Sequence, residues 1–245
     1  MTTYVCGYWR IDDNVKHSYN DHYKKLIPRT LNILKNCNIV FFYNEEEILS
    51  YVKKNVKTQN IIYKKMLIKD LETYKLSKDY LETCKKQNNY KLSKINSIHE
   101  KGLVHYFREY KDSGEESFRK VFTIWTSKIF LINKVINLNP FKTDNFAWID
   151  ISAARVKIDR KCYLQKYPRG PIYHFGMNIM KYYGEKLPIM GFFLISHKKI
   201  WKKLIPLYEK QLELSKNSKY GHDEETILYL IWKNHYNLFC EINKN

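Results

Sequence analysis

The sequence predicts an α/β fold with a mixed, mostly parallel central sheet flanked by helices. Three observations carry that expectation. First, NIVFFY at 38–43 is a continuous apolar run bounded by Asn residues, the pattern of a strand covered on both faces. Second, NEEEILSYVKK follows at once as a helix, and NIIYKKM (60–66) as a short strand. Strand, helix and strand in close succession point to βαβ units. Third, Phe146, Ala147, Trp148 and Ile149 form a second buried-strand run that stops on a single carboxylate, Asp150.

The elements follow in order. TYVCGYW (3–9) reads as a first strand, and 18–36 as a helix with Leu26, Leu31 and Leu34 and a break at Pro28. In the helix after 43, Asn44 can cap, Glu45 to Glu47 suit the positive end and Lys53 and Lys54 the other. Residues 68–115 are rich in Lys, Asn, Tyr and Glu and read as a mostly exposed, variable helical insertion. Across 116–138, Phe118, Phe122, Trp125, Ile129, Ile132 and Ile136 recur at alternating steps of four and three, which makes one long buried helix. It ends before Asn139-Pro140, because the residue ahead of proline is pushed out of helical geometry. Strands are expected at 171–176, 189–196 and 236–242, with helices between, one containing Pro206 and one spanning about 222–234. No Gly/Ser linker interrupts the chain, so 1–245 is expected to be one domain.

Composition narrows the function classes. The 44% hydrophobic and 16% aromatic content supports a core and argues against disorder. A formal charge of +18 makes an anionic partner plausible without choosing among nucleic acid, a membrane surface and a phosphorylated small molecule. Many Lys, Asn, Ile and Tyr residues also fit an AT-rich genome, that of a low-GC bacterium or a large DNA virus. Five scattered cysteines without a C-x-x-C pair argue for reduced thiols and against a structural zinc. The longest clean apolar run, PIMGFFLI (188–195), is too short to span a bilayer. The expectation is a chain without a leader or transmembrane segment, in the cytoplasm, or the host cytoplasm if viral.

Three constellations can carry chemistry. Asp150 stands at a strand's carboxyl end, where α/β sheets place ligands and where a carboxylate can hold a divalent cation, with Ser152 two residues on. The alternative is an Asp that caps the next turn. In YGHDEETILYLIW (220–232), Asp223, Glu224 and Glu225 occupy a helix start after Gly221 and His222. Acids there favour the helix dipole, and one could equally serve as a general base, with His222 a metal ligand or acceptor contact. Arg155, Lys157, Arg160 and Lys161 form a basic run that is either solvated or placed against phosphate oxygens. No P-loop, dinucleotide or nucleophile-elbow motif occurs, nor an RNA-binding one.

Together these segments resemble the HtrL/YibB family, usually grouped with the GT-A glycosyltransferases. The resemblance rests on TYVCGYWRI, IPRTLNILKNCNIVFFYNEEE, IWTSKIFLINKVINLNPFKTDNFAWIDIS and GHDEETILYLIWKNHYNLFCEI. Nothing in 68–115 contributes to it. It implies a GT-A-like fold and a transferase that moves a sugar from a nucleoside-diphosphate sugar, most often UDP-linked, to a glycan or protein hydroxyl. It implies a donor site made of Tyr4, Gly7, Tyr8, Trp9, Arg10, Lys128, Trp148, Asp150, Ser152 and Arg155. Asp150 would open a D-x-D-like motif for Mn²⁺ or Mg²⁺, with His222 as a further metal candidate, and Ser152 stands where the second acid would be. Asp223 and Glu224 match the position of the catalytic base. The HDE triplet also looks like the acceptor-side triplet of the retaining histo-blood-group transferases, so the stereochemistry stays open. The competing expectations are a GT-A-like binding protein without catalysis and a basic nucleic-acid-binding protein. No specific nucleic-acid partner is expected under the transferase reading.

Overall fold

A computed structural model describes residues 1–11, 20–57, 60–86, 98–178, 186–217 and 223–242. Among these residues the chain is α/β, with a seven-stranded mixed sheet in the order β3-β2-β1-β4-β8-β5-β9. Its strands are β1 (Thr2–Tyr8), β2 (Asn38–Tyr43), β3 (Ile61–Lys65), β4 (Asn145–Ile149), β5 (Ile172–His174), β8 (Phe193–His197) and β9 (Phe239–Glu241). A separate two-stranded ribbon pairs β6 (Met177–Asn178) with β7 (Lys186–Leu187). The β1–β2, β2–β3, β1–β4 and β5–β9 pairs are parallel, and β8 runs antiparallel to β4 and β5.

Every residue of β2 is buried, which is what its unbroken apolar run requires. Alternation then sorts side chains to the two faces of the sheet. On one face Val5, Val40, Phe42, Phe146 and Trp148 pack against helices α4 (Ile98–Thr126), α5 (Lys128–Leu138), α7 (Lys198–Lys216) and α8 (Glu224–Asn234) through Phe118, Phe122, Ile132, Trp201 and Ile227. On the other face Tyr4, Cys6, Phe41, Ala147 and Ile149 meet Ile27 and Leu31 of α1 (Asn20–Ile33) and Ile48 and Val52 of α2 (Glu46–Asn55). Each such buried aliphatic or aromatic side chain contributes roughly 1.5–3 kcal/mol. Cys6, Cys37, Cys162 and Cys240 are free thiols.

Several expectations need correction. The helix read as continuous over 116–138 is two helices bent by 48° at Ser127. A buried hydroxyl cluster sits at the bend. Thr73 Oγ1 lies 2.8 Å from both Ser127 Oγ and Thr126 Oγ1, and donates to the Thr123 carbonyl at 3.2 Å. Apolar spacing is blind to this, because Thr73 comes from another part of the chain. That segment is also less exposed than its composition suggests. Ile68, Leu71, Tyr80 and Leu81 are buried, and α3 (Ser77–Lys86) packs against α4. Within α4, Gly114 adopts φ 82°, a left-handed value that only glycine takes without strain, and there the helix kinks. Pro28 does not end α1, which runs on to Ile33. Residues 189–192 precede rather than belong to β8, and 236–238 form a 3₁₀ turn before β9. A further helix, α6, is the single turn Arg160–Leu164.

No single helix among the described residues is long and apolar enough to cross a membrane. The bent α4–α5 pair reaches that length and composition jointly, but Phe118, Phe122, Ile129 and Ile132 are spent on the core.

Candidate functional site

In open α/β sheets, ligands bind beyond the strand carboxyl ends where the strand order reverses. Here the reversal falls between β1, whose next strands extend toward β3, and β4 on its other side. A cleft opens at that point. Gly7, Tyr8, Trp9 and Ile11 line it from the end of β1, and Trp148, Asp150, Ile151 and Ser152 from the end of β4. Tyr23 of α1, Val121, Ile124 and Trp125 of α4, and Lys128 of α5 complete the wall. Its volume of about 180 Å³ suits one ring of a ligand, with the remainder lying outside.

Local packing fixes these groups. Gly7 is glycine because a Cβ there would stand 2.4 Å from the Trp9 ring, which lies across it. The Trp9 indole N–H donates to the Met66 carbonyl at 2.9 Å. The turn after β4 is clamped by Thr30. Its hydroxyl donates to the Ile151 carbonyl at 2.5 Å and accepts from Ala154 N–H at 3.1 Å. Asp150 does close a turn, since its carbonyl accepts from Ala153 N–H at 2.9 Å. Its carboxylate is directed elsewhere.

That carboxylate belongs to a charged cluster on the cleft floor. Trp148 Nε1 donates to Asp150 Oδ1 at 2.7 Å. Lys128 Nζ lies 3.1 Å from Oδ1 and 3.2 Å from Oδ2 of Asp150, and 2.7 Å from Glu224 Oε1. The side chains of Lys128, Glu224 and Asp150 are 7%, 10% and 25% exposed, so solvent screens these contacts weakly. Burial pulls the Lys128 ammonium toward neutrality. Asp150, Glu224 and Glu225 overcome that pull and hold its pKa above the ordinary lysine value. The bend at Ser127 makes Lys128 the first residue of α5. Glu224 is the first residue of α8, and Gly191 packs against it so closely that a Cβ would lie 3.1 Å from its side chain. Glu225 accepts from Gly191 N–H at 2.9 Å.

The expected site residues therefore divide. Gly7, Tyr8, Trp9, Lys128, Trp148, Asp150 and Ser152 share the cleft. Tyr4 does not reach it, because its hydroxyl is buried and donates to the Tyr163 carbonyl at 2.7 Å. Arg10 turns toward α2, where it pairs with Glu47 at 3.0 Å and its N–H donates to Asn44 Oδ1. Arg155 is exposed on the 3₁₀ turn that follows. Asp223 is the N-cap of α8, and its Oδ1 accepts from Thr226 N–H at 2.9 Å and Thr226 Oγ1 at 2.8 Å. Glu224 is not among the described lining residues and reaches the cleft floor through its contact with Lys128. Gly221 and His222 lie outside the described residues. Sequence reasoning missed Ile11, Tyr23 and Ile151 as lining residues. It assigned Trp125 to the core face of the long helix, although Trp125 and Ile124 are only half-buried, and it did not place Val121 or Ile124 in the cleft.

Among the described residues no group of three or more His, Cys, Asp or Glu side chains is arranged to hold a metal ion. Among the described residues Asp150 is the one carboxylate on the wall of the cleft. Its Oδ1 accepts from Trp148 and its Oδ2 from Lys128, so each oxygen keeps one acceptor position. The ammonium 3.1 Å from this carboxylate opposes a divalent cation at the same place by like-charge repulsion. A remaining carboxylate acceptor position fits a ligand hydroxyl. No known protein-family model matches the chain, and no curated protein matches it in sequence.

Proposed function

We propose that the chain is a glycosyltransferase. It takes a nucleoside-diphosphate sugar, first among them a UDP-sugar, into the cleft between β1 and β4 and transfers the sugar to a hydroxyl of a glycan or protein. One observation supports this above the others. Seven residues expected at a donor site from three distant stretches, 7–9, 128 and 148–152, line a single cleft at the strand-order reversal. The aromatic residues Tyr8, Trp9, Tyr23, Trp125 and Trp148 offer a wall against which a base or sugar ring packs. A remaining Asp150 acceptor position receives a ligand hydroxyl.

In the transfer, the acceptor hydroxyl oxygen bonds to the anomeric carbon, and the bond from that carbon to the diphosphate oxygen breaks. The electron pair leaves with the nucleoside diphosphate, and the hydroxyl proton passes to a carboxylate or to water. Asp150 is the carboxylate on the cleft wall. Glu224 holds Lys128 in place, and Asp223 holds the start of α8.

A second reading, a GT-A-like module that binds its ligand without catalysis, is favoured by the engagement of both expected bases. Asp223 is spent on a helix cap and Glu224 on an ion pair. The deciding experiment is turnover on a panel of UDP- and GDP-sugars with glycan and peptide acceptors, for the wild type and Asp150→Asn. Transfer or donor hydrolysis that falls in Asp150→Asn supports the enzyme. Donor binding without turnover supports the binding module. Absence of both, or full activity in Asp150→Asn, removes the proposal.

A further inference from the structure

We propose that the ammonium of Lys128 fills the position that the resemblance gives to a divalent cation, so that the cleft takes its ligand without a metal ion. The geometry carries this. Two carboxylates from distant stretches, Asp150 at the end of β4 and Glu224 at the start of α8, converge on one point, as they would around a cation. The point is already occupied by Nζ, at 3.1 Å from one and 2.7 Å from the other. The lysine is anchored there by more than charge. It begins α5 at a bend packed with buried hydroxyls, and its side chain is almost wholly enclosed.

An ammonium has three N–H donors. Asp150 and Glu224 account for two, and Lys128 also lines the cleft, so the third is available to a ligand oxygen. Trp148 supports the arrangement from the other side, because its N–H to Asp150 Oδ1 fixes the carboxylate that faces the ammonium. A divalent ion entering here would have to expel Lys128 or sit beside it at like-charge distance. Ser152, where a second motif acid is expected, fits the same scheme, since a site with a built-in cation needs no second carboxylate.

Two measurements on the folded wild type test this, and only the second rests on the glycosyltransferase reading. Mn²⁺ titrated to about 1 mM, the weak end of protein carboxylate sites, is followed by electron paramagnetic resonance. No bound Mn²⁺ that depends on Asp150 is expected. UDP binding is then measured by calorimetry in EDTA and in Mn²⁺, and equal affinity is expected in both. Lys128→Met, tested where it remains folded, should weaken UDP about tenfold or more and open the two carboxylates to Mn²⁺. Lys128→Arg, which keeps the charge, should retain most of the UDP affinity. Mn²⁺ binding by the wild type that disappears in Asp150→Asn overturns the proposal, as does UDP binding that collapses in EDTA. If UDP does not bind under either condition, the nucleotide reading fails, and the Mn²⁺ titration alone decides the role of Lys128.

Discussion

Removing the Lys128 charge is the most informative perturbation of stability. Lys128→Met keeps the aliphatic bulk and deletes the ammonium, which leaves Asp150 and Glu224 facing each other without compensation. At an effective dielectric near 20, pairs at 2.7 Å and 3.1 Å carry roughly 6 and 5 kcal/mol of gross attraction, most of it offset by the desolvation of three charges. Breaking such a buried cluster from one side costs about 3–5 kcal/mol, because the stranded carboxylates stay enclosed. For a chain of this size that lowers the melting temperature by about 6–20 °C. The assay is a double-mutant cycle of Lys128→Met, Glu224→Gln and the pair, unfolded in urea and followed by circular dichroism. Glu224→Gln removes one stranded charge, so the pair should recover part of the Lys128→Met loss, with a coupling energy of about 2 kcal/mol or more. Additivity within about 0.5 kcal/mol would show that Lys128 and Glu224 do not act together, and the cleft floor described above would be wrong.

Three further outcomes follow from the same geometry. Stability should hold to about pH 10 and fall above it, measured as urea midpoint against pH. The sign comes from groups whose folded pKa is raised. Lys128 is held up by its carboxylates against burial, and burial pushes the Tyr167 phenol up to about 12, so the unfolded chain releases these protons first and alkali favours it. A midpoint that rises between pH 10 and 11 would contradict both assignments. Gly7→Ala should cost about 1–3 kcal/mol by forcing the Trp9 ring off its seat, with a visible change in tryptophan fluorescence; an unchanged spectrum and stability would mean that Trp9 does not lie across Gly7. Asp223→Ala should lose about 1 kcal/mol and Asp223→Ser much less, because serine still caps, with turnover retained in both. A hundredfold loss of turnover in Asp223→Ser would return Asp223 to the role of base.

Much of this fold was legible because it depends on local pattern. The β2 run could only be a doubly covered strand, and all six of its residues are buried. The strand ending on Asp150 sits where its apolar run placed it. The bend at Ser127 was not legible, since it is accompanied by Thr73 hydroxyl contacts from a segment 54 residues away that helical spacing cannot register. That bend matters for the site, because it places Lys128 at the head of α5. The acids of α8 show the same limit. Composition at a helix start does not distinguish a cap from a base from an ion-pair partner. In the fold Asp223, Glu224 and Glu225 take three different partners: Thr226, Lys128 and the Gly191 amide. Tyr4 and Arg10 were expected in the site because the resemblance places the donor at the end of the first strand. The strand's alternation and the turn into α2 direct them elsewhere.

The central claim is that the cleft between β1 and β4 holds a nucleoside-diphosphate sugar against Trp9, Trp125 and Trp148. Three of the five tryptophans line it, so intrinsic fluorescence reports on occupancy directly. Titration of UDP- and GDP-sugars into the wild type should give saturable quenching for at least one donor, weakened in Asp150→Asn and altered in Trp148→Phe. No quenching by any donor, or quenching identical in both variants, would place the ligand elsewhere or exclude this ligand class.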